Sequence, residues 1–303
     1  MTKIEWTDEV WNPVTGCSKV SEGCRNCYAE RMAKRLKAMG QPLYKNGFKV
    51  TCHRKVLEKP LHWKKPRKIF VNSMSDLFHH DVPVQFIIDC FLIMGKTKQH
   101  TYQILTKRAD RMLSFFEDCM SMPPIFPLQN VWLGISAEDQ ESYTQRVGRL
   151  IYVPAAIRFV SIEPMLGEID LRFKYLKYHN INLINWIVCG GESGPNARPI
   201  HPDWVKSLRD QCKVAGVPFF FKQWGEWIGS DYEEETCVDT YGVMKAENGI
   251  DYCCPLEGKY ADRPGRFHIK QHLWDDGMRS LRVGKKEAGH LLDGKEYREF
   301  PCR

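Results

Sequence analysis

Six short runs of β-branched and aromatic residues recur along the chain at nearly even intervals, and this beat narrows the fold more than any other feature. They are Lys68–Ser73, Thr101–Thr106, Asn130–Ile135, Ile157–Ile162, Ile184–Cys189 and Val217–Lys222, with starts 33, 29, 27, 27 and 33 residues apart. Each is too short for a buried helix, and several are apolar throughout, as strands covered on both faces are. The intervening segments carry helical signals. Pro83–Met94 is apolar on most sides, Lys107–Met120 sets Met112, Leu113, Phe115 and Phe116 on one stripe, and Asp203–Ala215 follows His201-Pro202 and ends at a glycine. A strand–helix unit of about 30 residues, repeated this often, means parallel strands joined by right-handed crossovers. A further strand around Val10–Val14 brings the count to seven.

The polar residues fall just after the strands, which favours a full or partial (β/α) barrel over an open doubly wound sheet, the structural alternative. In a barrel the ends of the strands form one mouth. There the sequence places Ser73-Met-Ser-Asp76, Thr106-Lys-Arg108, Ser136-Ala-Glu138, Glu163-Pro164, Gly190-Gly-Glu-Ser193 and Gln223-Trp-Gly-Glu226. A purely structural barrel has no need for Lys107, Glu138, Glu163, Glu192 and Lys222 to converge on one end. From about Ser230 the pattern breaks into an acidic run, Asp231–Glu235, and short Gly-, Asp-, Arg- and His-rich segments. The expected division is a barrel over 1–229 and a small irregular C-terminal extension over 230–303.

With 43% hydrophobic residues the chain can fill a sizeable core, and it lacks the long uncharged run of a membrane span. Charges occupy the start, where a signal peptide has its apolar stretch, so a cytoplasmic protein is expected. The net charge of +7 is unevenly spread. Between Lys45 and Lys68 there are nine Lys or Arg against the single acid Glu58, interleaved with His53, His62 and Trp63. A second cationic stretch runs from Arg263 to Lys286. Such density suits a nucleic-acid backbone, or a solvated surface.

Twelve cysteines in a reducing compartment read as metal ligands or buried thiols rather than disulfides. Cys90, Cys119 and Cys212 lie in apolar or amphipathic stretches and behave as small hydrophobes. Cys17, Cys24 and Cys27 stand apart, as C-x6-C-x2-C followed by Tyr28. Three thiolates suit an iron–sulfur cluster with one iron left open. A closed zinc site needs a fourth donor, for which Cys52-His53 and Cys253-Cys254 are the candidates, but a second C-x2-C is missing. Three ordinary buried thiols are the remaining reading.

The three-cysteine loop after a first barrel strand, with an aromatic after the third cysteine, resembles the radical S-adenosylmethionine (SAM) superfamily. Trp11-Asn-Pro-Val-Thr-Gly-Cys17, Gln103–Arg108, Val131–Ser136, Ser161–Gly167, Gly190–Gly194, Arg198–Trp204, Phe219–Trp227 and Lys285–Pro301 resemble a phage-associated three-cysteine-motif family over nearly the whole chain. That family is radical-SAM-like and distantly similar to spore photoproduct lyases. The first cysteine gap here is six residues where three is usual. Ser73-Met-Ser-Asp76 stands where Gly-Gly-Glu normally meets the SAM amino group.

The resemblance implies that Cys17, Cys24 and Cys27 hold a [4Fe–4S] cluster and that SAM chelates its open iron. An external electron donor reduces the cluster, SAM is cleaved, and a 5′-deoxyadenosyl radical takes a hydrogen from the substrate. Ser73, Ser75 and Asp76 are then expected at the SAM amino group, and Ser136 and Glu138 at the ribose. Glu163, Glu192, Lys107, Arg108 and Lys222 are assigned to substrate or the SAM carboxylate. Cys189 is a candidate hydrogen-atom donor or a structural thiol, and Trp224 and Trp227 either stack on a base or pack the core. The expected substrate is nucleic acid with a modified or damaged pyrimidine, extruded to reach the mouth. The alternatives are a radical SAM enzyme of small-molecule metabolism and a zinc-stapled nucleic-acid-binding protein without catalysis.

Overall fold

The computed structural model describes residues 5–119, 126–179, 181–230, 241–245, 251–255 and 269–302. Seven strands form one sheet: β1 Glu9–Trp11, β2 Lys68–Val71, β3 Thr101–Thr106, β4 Val131–Ala137, β5 Ile157–Ile162, β6 Trp186–Gly190 and β7 Phe219–Gln223. Every pairing is parallel, and the strands lie side by side in their order along the chain. That order decides between the two architectures. A doubly wound sheet reverses direction at a switch point; an unreversed order with crossovers of one hand sets the helices on one face and curls the sheet around the other. β1 and β7 are not paired with each other, so the curl stops at a half-barrel.

Side-chain alternation divides the core accordingly. Ile69, Val71, Tyr102, Ile104, Leu133, Ile135, Val160, Ile162, Ile187, Cys189, Phe219 and Phe221 point to the helix-covered face. Helix α1 Tyr28–Ala38 packs apart, with Ala33 in a separate cluster with Tyr44 and Met74, and the face itself is covered by α2 Val84–Lys96, α3 Ala109–Cys119, α4 Gln140–Leu150 and α5 Pro202–Ala215. Their ends follow local chemistry. Asp139 and Ser142 form a reciprocal capping box at α4, Pro202 occupies the first turn of α5, and Gly216 ends it at a φ of 67°.

The concave face holds a separate aromatic plug of Trp6, Phe70, Trp132, Phe159, Trp186, Phe220 and Phe300. Gly134 makes room for it, because a Cβ there would meet the Phe159 ring at 2.6 Å. The plug closes the lower end, so any chemistry belongs to the mouth.

The C-terminal region differs from the irregular extension expected. Among the described residues, β8 Ile228–Ser230, β9 Tyr241–Lys245, β10 Asp251–Pro255, β11 Ile269–Leu273 and β12 Arg279–Leu281 form an antiparallel sheet in the order β8-β12-β11-β10-β9. Backbone pairing holds these segments together, a source of order that hydrophobic periodicity does not register. After β12 the chain returns to the barrel. Tyr297 O accepts from Phe221 N at 2.9 Å, Glu299 O accepts from the Trp186 indole at 2.8 Å, and Arg298 pairs with Glu5 at 2.8 Å. Met120, the acidic run Asp231–Glu235 and Arg263 lie outside the described residues. No helix among the described residues is long and apolar enough to cross a membrane.

Candidate active site

Residues 12–27 leave β1 and cross the mouth. Their first anchor is Gly16, whose N–H donates to Met74 O at 3.1 Å while Cys17 N–H donates to Phe48 O at 3.2 Å. Only glycine fits, since φ is +83° and a Cβ would stand 2.4 Å from Lys49 O. Further along, the Ser18 hydroxyl meets His79 Nε2 at 2.7 Å and accepts from Arg108 at 3.0 Å. Gly23 rests on an ion pair, its Cβ position 3.0 Å from Lys107 Nζ and 3.1 Å from the Glu138 carboxylate. Asn26 donates to Glu192 at 3.0 Å, and Arg198 joins that same carboxylate at 2.7 Å to Glu22 at 3.4 Å. The ends of β3, β4 and β6 therefore all grip the loop.

Within it, Cys17, Cys24 and Cys27 are free and half-buried. Cys24 ends a short 3-10 turn, and Cys27 stands at the N-cap position of α1 without a side-chain capping bond. Burial pushes the Cys17 thiol up to about 11, with Arg108, whose guanidinium is 3.4 Å from Sγ, acting against it.

The sulfur spacing bears on which metal group these residues suit. Four-coordinate zinc, with Zn–S near 2.3 Å, draws its sulfurs to about 3.8 Å of one another. Among the described residues the three thiols do not form a group within 4.8 Å, although His79-His80-Asp81 and His201-Asp203-Asp276 do. Three thiols around one loop offer one ligand to each of three irons of a cluster and fall one donor short of a closed zinc site.

The polar residues expected at the mouth are brought together there, mostly in contact with one another. Glu138 is buried between Lys107 at 2.8 Å and Arg146 at 2.9 Å. Burial alone would raise its pKa, but the Lys107 charge and the hydrogen bonds from Arg146, Lys107 and Ser21 hold it at about 2. Lys107 also donates to Ser136 Oγ at 2.8 Å. Asp76 accepts from Thr106 at 2.7 Å, from Arg108 at 3.0 Å and from the Phe78 and Lys107 amides. Ser73 Oγ donates to Asn12 and Ser75 Oγ to Val14 O. For Glu192, burial works against ionisation, yet the bonds from Arg198 and Asn26 lower its pKa.

Glu163 and Lys222 differ from that set. They pair at 2.6 Å, and their side chains keep 23% and 17% of their exposure. Gly190 on β6 lies beside them, where a Cβ would stand in ordinary contact, 3.6 Å from the Glu163 carboxyl carbon and 3.5 Å from Lys222 Cβ. Two residues before Glu163, the Ser161 hydroxyl is buried and has no partner. A charged pair with its carboxylate partly exposed can exchange partners with a small zwitterionic group.

Cys189 is not brought to the mouth. It points to the helix-covered face with Sγ 3.8 Å from Met165 Sδ, and burial pushes its thiol well up. The Trp224 and Trp227 indoles are buried and donate to Leu291 O and Ala197 O, each at 2.7 Å. Sequence reasoning passed over Ser18, Asn26, His79, Arg146 and Arg198. Arg146 carried a local signal, a cation eight residues after Glu138, and Arg198 opened one of the segments that bear the family resemblance.

Fold and site together define an α/β half-barrel protein with a three-cysteine loop fastened across its mouth. The sequence matches the family described as "Protein of unknown function (DUF5131)" over residues 1–301, and the chain belongs to that family. No curated protein matches it in sequence. Among solved structures it is similar to a spore photoproduct lyase complexed with dinucleoside spore photoproduct, at a TM-score of 0.37 and 8% identity over 80% of this chain and 66% of that one. A mutant of that lyase with bound AdoMet and dinucleoside spore photoproduct gives 0.38 and 8%, over 81% and 68%. The chain thus spans about two thirds of the length of these lyases. At such TM-scores the likeness assigns neither a residue role nor an activity.

Proposed function

We propose that the protein is a radical SAM enzyme acting on nucleic acid, and the observation that carries this reading is the loop holding Cys17, Cys24 and Cys27 open over the half-barrel mouth. These three thiolates are the ligands of a [4Fe–4S] cluster. When bound, the cluster and SAM supply a 5′-deoxyadenosyl radical, the agent that takes a hydrogen from the substrate; the difficult chemistry is the cofactors' own.

The chain's residues position and exclude. Asp76, Glu138 and Glu192 are positioning residues: each carboxylate is saturated by Arg or Lys and fixes the cysteine loop through Arg108, Gly23 or Asn26. Ser73, Ser75 and Ser136 line the same rim. Glu163 and Lys222 are a charged pair left partly open, suited to an ammonium and a carboxylate on one small molecule. The aromatic plug bars water from the lower end.

For the substrate, exposed Lys64 and Lys65 in the Lys45–Lys68 stretch support a phosphate backbone, and a base must leave its stack to enter a barrel mouth. The test is anaerobic reconstitution followed by iron, sulfide and zinc analysis, then SAM and dithionite with detection of 5′-deoxyadenosine. The expected result is about four irons per chain and 5′-deoxyadenosine that disappears in Cys24→Ala. Stoichiometric zinc without SAM cleavage would overturn the reading in favour of a zinc-stapled binding protein.

A further inference from the structure

Arg108 stands two residues beyond the end of β3 and reaches across the mouth to the first cysteine of the loop. We propose that Arg108 is a positioning residue that sets the reduction potential of the cluster, by donating an N–H to Cys17 Sγ and so favouring the reduced state. That role rests on the [4Fe–4S] reading and deepens it.

The guanidinium is fixed from several sides. Nη1 lies 3.0 Å from Asp76 Oδ2 and 3.4 Å from Cys17 Sγ, while Nη2 donates to Ser18 O at 2.9 Å and to Ser18 Oγ at 3.0 Å. Asp76 is buried and is held in turn by the Thr106 hydroxyl and by the Phe78 and Lys107 amides. Ser18 also meets His79 Nε2 at 2.7 Å. A guanidinium has five N–H groups in a rigid fork, and four of them are committed to these partners. No paired edge is left for the bidentate grip of another carboxylate. This assigns Arg108 to the cysteine rather than to a substrate or SAM carboxylate, the role its place after β3 suggests.

The sulfur gains most from that donor as a ligand. As a thiol, Cys17 has a hydrogen of its own and donates it to Ser18 O at 3.4 Å. A metal-bound thiolate has no hydrogen and only accepts, and Arg108 is the donor already in place. Among the described residues no cation donates to Cys24 or Cys27; Cys24 meets the neutral Ser21 hydroxyl at 4.0 Å. The positive charge therefore acts on one ligand of the three.

Reduction adds one electron to the cluster, supplied by the external donor, and breaks no bond. Added negative charge strengthens a hydrogen bond to a ligand sulfur, so the donor stabilises the reduced cluster more than the oxidised one and raises the potential. The Asp76 carboxylate opposes this. Its charge is already shared among four donors, however, and the sulfur's own contact is with the guanidinium.

The experiment is a redox titration of the reconstituted full chain without SAM, followed by the electron paramagnetic resonance of the reduced cluster. Wild type, Arg108→Gln and Arg108→Lys are compared, with iron and zinc measured on each. Arg108→Gln is expected to disfavour reduction about tenfold, the scale of one charged hydrogen bond, which is a fall of about 59 mV for one electron. Arg108→Lys keeps the charge but cannot hold Asp76, Ser18 and Cys17 at once, so its potential should fall between the two. Should Arg108→Gln hold no cluster, Arg108→Lys decides: a potential below wild type supports the role, and one equal to wild type overturns it. An equal or higher potential in Arg108→Gln overturns the role and leaves the [4Fe–4S] reading standing. A wild type that takes up zinc and no iron sinks that reading, and the role of Arg108 with it.

Discussion

Burial of Cys17 and the guanidinium of Arg108 act on one thiol in opposite directions, and burial wins, holding it at about 11. Only the thiolate is alkylated or metallated, so reactivity there should climb with pH well beyond the range of a free cysteine. In metal-free protein, iodoacetamide labelling of Cys17, followed by peptide mass spectrometry, is expected to be slow at pH 8 and still rising at pH 10. Arg108→Gln should slow it further by removing the opposing charge. A rate that is level by pH 9 would contradict this account. The cysteine set was legible because its spacing is local. Arg108 was flagged only as a group for substrate or SAM, because its contact with Cys17 bridges 91 positions of sequence and belongs to the tertiary structure. Cys189 shows the reverse limit: a position at a strand end does not say which face of the sheet the side chain takes.

At the scale of elements, β3 and β5 match the runs read from the sequence residue for residue, and the other strands differ by one to three positions at their ends. The signal was strong because both faces of these strands are covered, one by helices and one by the plug. Helices α1 and α4 were not singled out, since their exposed faces are wide and their buried residues few. The connection between loop and barrel yields two predictions. Gly16→Ala forces a Cβ against Lys49 O in a left-handed backbone, which should cost about 1–3 kcal/mol in urea unfolding and lower the iron bound per chain; unchanged iron and midpoint would show that the anchor is dispensable. Glu138→Gln leaves Lys107 and Arg146 facing a neutral group, at a cost of about 3 kcal/mol at pH 7. Because the folded pKa of Glu138 is depressed, its contribution is present above the unfolded value near 4.3 and is lost as pH falls toward about 2. The gap in stability between wild type and Glu138→Gln should therefore narrow from pH 5 to pH 3, and a gap that widens would reverse the sign assigned to this pair.

For the molecule as a whole, the order of the seven strands makes a curved sheet, and the N- and C-terminal segments complete it. Trp6 and Phe300 fill the plug, while Arg298 and Glu5 tie the two termini together. None of this was visible from periodicity, because Trp6 and Phe300 act as single residues outside any repeat. The basic stretch was visible, but composition could not apportion its charges. Arg54 is paired with Asp89 at 3.4 Å; Arg67 is paired with Glu9 at 2.6 Å and lies over the Trp63 ring. Lys45, Lys49, Lys55, Lys59, Lys64 and Lys65 are exposed and without an ion pair among the described residues, and of these Lys64 and Lys65 are adjacent, so they are the first charges to test against a phosphate backbone. Each such contact with a single strand adds about 0.7 to the slope of log K against log salt. Lys64→Ala/Lys65→Ala should therefore lower the slope for single-stranded DNA by about 1.4, read by fluorescence anisotropy between 50 and 200 mM salt, roughly the range over which such contacts dominate. Arg54→Ala should leave that slope unaltered, because its charge is already committed to Asp89. Equal slopes in wild type and the double variant would mean that Lys64 and Lys65 belong to a solvated face and do not contact the strand.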